Sequence, residues 1–233
     1  MTLISALGAL AACVSIAFAL CTADRWARRG RPHERAWTES LVMFALASGA
    51  YWWAGAVGWN EWNFRAFYLF GAILNVPFLA LGTVYLLGGE ARGNAVRRVL
   101  VALSWFCAGV VMVAPLRAPI PASGMPEGKE IFGIGPRIMA AVGSGVGATV
   151  LIVGALWSAI RLIVSHRRPA AGAAPAIAPG RLAATNVLIA VGSIILSLGG
   201  TFFAGESVET GFGILLVAGI VVLFGGFLVS TPR

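Results

Sequence analysis

Apolar residues run along this chain in blocks of about 18–25 residues, separated by short clusters of arginine, glycine and proline. A helix of that length crosses a hydrocarbon layer of about 30 Å. Seven helices are predicted, over about 2–22, 37–58, 63–88, 96–116, 134–163, 182–203 and 210–230. The expected fold is all-α, a polytopic membrane protein in which residues 1–233 form a single bundle of seven transmembrane helices. The first block has no basic segment ahead of it and no A-x-A cleavage site leading into a soluble domain. It is expected to be a retained span rather than a signal peptide.

Two connections stand out. The stretch from Arg117 to Gly135 carries Pro119, Pro121 and Pro126 beside the charge cluster Glu127-Gly128-Lys129-Glu130. Loops of that length carry function or serve as spacers. The stretch from Pro169 to Gly180, PAAGAAPAIAPG, is low-complexity, and 165–180 is expected to be a flexible cytoplasmic linker. Spans one to three and five to seven show no sequence echo that would mark a repeat.

Composition agrees with the pattern. Hydrophobic residues make up 59% of the chain, charged residues 11%, and the mean hydropathy is +0.88. A soluble domain carries about 25% charged residues, and a chain of this size cannot bury so many long apolar runs in one core. The net charge of +8 suggests nucleic acid until the positions are read. Of the 17 basic residues, 13 fall in alternate connections and at the C-terminus: Arg25 to Arg35, Arg92 to Arg98, Arg161 to Arg181, and Arg233. The opposite side holds only Arg65, Arg117, Lys129 and Arg137. The positive-inside rule then puts the N-terminus outside and the C-terminus in the cytoplasm, with the bilayer rather than nucleic acid as the partner. Arginine, alanine and glycine are abundant, which suggests a GC-rich bacterial genome and hence the bacterial inner membrane.

The third span is the most polar of the long runs. At 100° per residue, Arg65, Tyr68, Ala72, Asn75, Leu79, Gly82 and Thr83 share one face, expected to turn inward. Phe67, Phe70, Ile73, Leu74 and Leu81 fill the rest and are expected to meet lipid or a neighbouring helix. Asn75 needs a hydrogen-bond partner because hydrocarbon offers none. Pro77 cannot donate to the Ile73 carbonyl, so a kink is expected. The pair either bonds to a neighbouring helix or offers an amide and a free carbonyl to a ligand. Arg65 either snorkels to headgroups or acts as a forked donor for a carboxylate or phosphate. Tyr51, Trp52, Trp53, Trp59 and Trp62 surround this mouth as belt anchors or pocket walls, with Tyr51 the preferred inward-facing aromatic.

Elsewhere the small residues point to packing. Span five aligns Gly143, Gly147 and Gly154, including a G-x-x-x-G that permits close helix approach. Gly143-Ser144-Gly145-Val146-Gly147 has no preceding strand and is not a phosphate loop. Glu206 and Glu209 precede span seven, within reach of Arg65 or Arg137. The lone lysine, Lys129, lies outside the spans, which excludes a retinal Schiff base. His33 and His166 lie in connections, which excludes a bis-histidine haem in the bundle. Cys13, Cys21 and Cys107 have no metal-ligand spacing. No hydrolase or metalloprotease motif is present, so no enzymatic activity, cofactor or metal is expected.

The segment FRAFYLFGAILNVPFLALGTVYLL, with R-x-R-P-H-E-R-x-W between the first two spans, resembles a group of uncharacterised bacterial seven-span membrane proteins. The likeness covers mainly residues 25–90 and carries no activity or site residue. The leading functional expectation is a protein that binds or transports a small molecule at a site opening outward. Tyr51, Arg65, Tyr68, Asn75 and the Pro77 kink would wall it, with Arg137 or Glu206 opposite. The alternative is a non-catalytic scaffold or assembly subunit, meeting a membrane-protein partner through Gly-rich faces on spans five and seven.

Overall fold

The computed structural model describes residues 2–121, 124–166, 185, 187–189, 191–196 and 208–230. Among these, every regular element is a helix: α1 (Leu3–Arg29), α2 (Pro32–Val57), α3 (Glu61–Gly88), α4 (Glu90–Val113), a single turn α5 (Gly128–Ile131), α6 (Ile134–His166), α7 (Val187–Leu196) and α8 (Val208–Ser230). Six of them are long and apolar enough to cross a membrane, namely α1, α2, α3, α4, α6 and α8. The sixth predicted span is described only in part, as the shorter α7.

The first two helices reach further than hydropathy indicates. The arginine-rich stretch after span one is helical almost throughout, because Arg28–Asp24 and Arg35–Glu39 pair at i,i+4 and support the polar turns. The turn needs only Gly30 and Arg31. Gly30 takes φ 62°, the left-handed conformation that closes a helix, and Pro32 opens α2 at a position where its missing N–H costs nothing. Similarly, α4 begins directly after Gly89, and it ends at Val113 because Ala114 precedes a proline and is extended.

Helix α3 is the hub, packed against α2, α4 and α6, while α1 joins α2 to α8. One core cluster gathers Phe64, Ile73, Leu74, Val111, Ile131 and Phe132; another gathers Phe18, Leu41, Phe44, Ile220, Leu223 and Phe227. The glycine seams are spent inside the bundle. A methyl at Gly143 would lie 2.7 Å from the Ile73 carbonyl oxygen, and one at Gly154 would strike Thr83. On α8, Gly219 and Gly226 receive Leu196 and Leu188 of α7, whose direction is therefore antiparallel to α8. Gly225 of α8 faces open space.

The two ends of the bundle differ. One gathers Arg25, Arg28, Arg29, Arg31, Arg35, Arg92, Arg97 and Arg98. The other is aromatic and carries Glu61, Glu127, Glu130 and Glu209 among four basic residues.

Candidate functional site

At the aromatic end, α3 starts from a reciprocal cap. The Asn60 side chain accepts from the Trp62 and Asn63 amides, and Asn63 accepts from the Asn60 amide in return. The Asn63 side-chain amide also donates to the Gly58 carbonyl at 3.0 Å, which fixes the α2–α3 turn. This cap sets the register of Arg65.

The Arg65 guanidinium is buried and spoken for. Its Nε and Nη2 donate to Glu61 Oε1 at 3.0 and 2.7 Å. Nη2 also donates to the Ala114 carbonyl at 2.8 Å, and Nη1 donates to the Val111 carbonyl. The last carbonyls of a helix lack intrahelical donors and carry partial negative charge. Arg65 therefore closes the C-terminal end of α4. It neither snorkels nor presents a free fork.

The loop after α4 folds back over the same place. Arg117 N–H donates to the Ile131 carbonyl at 2.9 Å beside an isolated antiparallel bridge between Leu116 and Phe132. This inserts the fully buried Phe132 against Phe64 and Tyr68, with ring centroids 5.2 and 4.9 Å away, and against the Arg65 guanidinium at 5.7 Å. Gly128 sits so close to the Tyr68 ring that a side chain there would overlap it. The loop is thus folded, and its far end packs as a plug over Phe64, Arg65 and Tyr68.

Below the plug, α3 leaves the α-helical register. Residues Tyr68–Leu74 form a π-helix, and the Asn75 N–H returns to the Phe70 carbonyl. Pro77 explains the need for partners here. It has no N–H for the Ile73 carbonyl in α register or for the Ala72 carbonyl in π register. The Ser144 hydroxyl of α6 donates to the Ala72 carbonyl at 2.6 Å, and the absence of a side chain at Gly143 lets α6 approach the Ile73 carbonyl. Ser40 of α2 donates to both the side-chain oxygen and the carbonyl of Asn75, at 2.7 and 3.0 Å. The Asn75 oxygens and the Ala72 carbonyl are thus bonded between helices.

The extra residue per turn also breaks the 100° wheel. Arg65 faces α4, Asn75 faces α2, and Pro77 faces α6, so the predicted continuous polar face does not form. Ile73, Leu74 and Leu81, assigned to the opposite face, are among the most buried residues of α3.

Tyr51 is fully buried and donates to the Glu209 carbonyl at 2.5 Å, ringed by Trp59, Phe67 and Phe212. The Glu209 carboxylate accepts from Trp59 Nε1 at 2.9 Å and so is directed to the indole rather than to Arg65 or Arg137. Trp52, Trp53 and Trp62 are exposed. Arg137 is exposed near Tyr68 and forms no ion pair among the described residues. Glu206 lies outside the described residues. The structure thus groups Tyr51 with Glu209, and Tyr68 with Phe132 and Arg137.

Three contributors escaped the reading of the sequence: Glu61, Ser144 and Phe132. Glu61 was legible as an i−4 partner of Arg65, and the Asn60-x-x-Asn63 spacing as a cap. Phe132 and Ser144 carry no local signal. No group of three histidine, cysteine, aspartate or glutamate side chains suited to a metal occurs among the described residues. Comparison with protein-family models, curated proteins and solved structures gives no match.

Proposed function

We propose that this is a seven-span protein of a bacterial inner membrane, N-terminus outside and C-terminus in the cytoplasm, that binds or transports a small molecule at its outer, aromatic end. Arginine asymmetry between the two ends supports the orientation. One observation carries the functional reading: a seven-residue π-helix lies directly beneath a folded-back loop that plugs the mouth. Such helices recur at functional sites, where an irregular turn rearranges at low cost. The ligand enters when the loop lifts Phe132 off Tyr68. Arg137, exposed and in no ion pair among the described residues, supplies a cation for an acidic group on it.

Arg65 and Asn75 are poor probes of this reading because each holds helices together. Arg137→Ala and Tyr68→Phe leave the packing in place. A metabolite panel run by thermal shift and proteoliposome uptake is expected to yield an acidic ligand for the wild type. Its effect should fall about tenfold or more in Arg137→Ala, the loss of one charge-assisted hydrogen bond. No responsive metabolite, or an unchanged response in both variants, ends this reading.

A second reading, a non-catalytic partner subunit, is favoured by α4. Only Gly93 and Val111 of its 24 residues are buried, and Leu103, Trp105 and Phe106 are exposed. A stoichiometric companion protein on purification in gentle detergent supports that reading instead.

A further inference from the structure

At the arginine-rich end, an open groove of about 470 Å³ runs between α3 and α6. Its walls are apolar, formed by Val84 and Leu87 of α3 and by Val150, Val153 and Trp157 of α6, with Arg92 at the mouth. Thr83 and Leu87 abut Gly154 within its lining.

Of the eight arginines at this end, Arg25, Arg28, Arg35 and Arg97 each pair with a carboxylate, at 2.6 to 3.0 Å. Arg92, like Arg29, Arg31 and Arg98, forms no ion pair among the described residues; it differs from those three in lining the groove, with its stem against Gly88 where the groove opens. The nearest acid in sequence, Glu90, is about 200° around the helix from it. An apolar slot is thus capped at one end by an unspent guanidinium, at the level where arginines collect.

We propose that this groove holds one acyl chain of an anionic phospholipid, with its phosphate on Arg92. A guanidinium binds phosphate through two parallel hydrogen bonds, and basic pockets between spans on the cytoplasmic side hold acidic headgroups. Trp157 then sits at the headgroup boundary, where tryptophan concentrates. The inference rests on the membrane placement and is independent of the outer ligand site.

The test is native mass spectrometry and thermal shift of the full chain in mild detergent. Phosphatidylglycerol, phosphatidylcholine and inorganic phosphate are titrated separately against the wild type, Arg92→Gln, Val153→Trp and Arg98→Gln. The wild type is expected to retain one phosphatidylglycerol in preference to phosphatidylcholine. Arg92→Gln should weaken retention about fivefold, the loss of one basic contact near the surface. Val153→Trp, which fills the groove from an exposed position, should abolish it, and Arg98→Gln should leave it unchanged. Equal retention of the two lipids, a full response to inorganic phosphate alone, or equal losses in Arg92→Gln and Arg98→Gln would overturn the proposal.

Discussion

Each end of the bundle holds a partly buried arginine–glutamate pair, and the two are mirror images. At the aromatic end the arginine is inside and the acid outside: the side chains of Arg65 and Glu61 are 5% and 53% exposed. At the other end Glu34 is inside, 0% exposed against 17% for Arg25. The buried arginine is the better satisfied, because the end of α4 supplies two carbonyls in addition to the carboxylate. The buried glutamate depends on Arg25 Nε at 2.9 Å, while Glu34 Oε2 and Arg25 Nη1 are buried without partners among the described residues. Two features offset this. Glu34 lies in the first turn of α2, where the helix dipole favours an anion, and the Arg25 guanidinium stacks 4.5 Å over Phe227. The difference follows from geometry. A helix C-terminus concentrates acceptors, so it can bury a cation outright; a carboxylate beside a single arginine has fewer donors to draw on.

Arg65→Ala should expose the asymmetry most strongly. It removes four hydrogen bonds and orphans the α4 carbonyls, for a loss of about 2–4 kcal/mol in detergent unfolding. Arg65→Lys should recover only part of that, since an ammonium cannot fork. If Arg65→Ala melts like the wild type, the plug is held by apolar packing alone. Glu34→Gln keeps the shape and an acceptor for Arg25 Nε but removes the charge, and should cost less, about 1–2 kcal/mol by the same measurement. A cost above that of Arg65→Ala would reverse the ranking of the two ends. Asp24→Asn, in the solvated pair with Arg28, should leave the melting temperature unchanged. A clear drop there would mean that exposed pairs, not buried ones, set stability at the arginine-rich end.

Much of the frame was legible because helix formation and charge segregation are local. The Gly30-Arg31-Pro32 turn, the i,i+4 pairs and the Asn60–Asn63 cap were also open to reading, although hydropathy alone missed them. The site was less legible. A helical wheel assumes one register throughout, and the π-helix at Tyr68–Leu74 invalidates it midway along α3. Pro77 announced that carbonyls would go unpaired; nothing nearby announced that Ser144 would take one.

Sequence alone determined that the chain forms long apolar helices with its arginines gathered in alternate connections, because hydropathy and charge are sums over neighbouring residues. Tertiary structure decided which polar groups are spent on one another. Arg65 meets carbonyls 46 and 49 positions away, and Ser144 meets one 72 positions away. Such partners are set by how helices pack, and no local pattern encodes them.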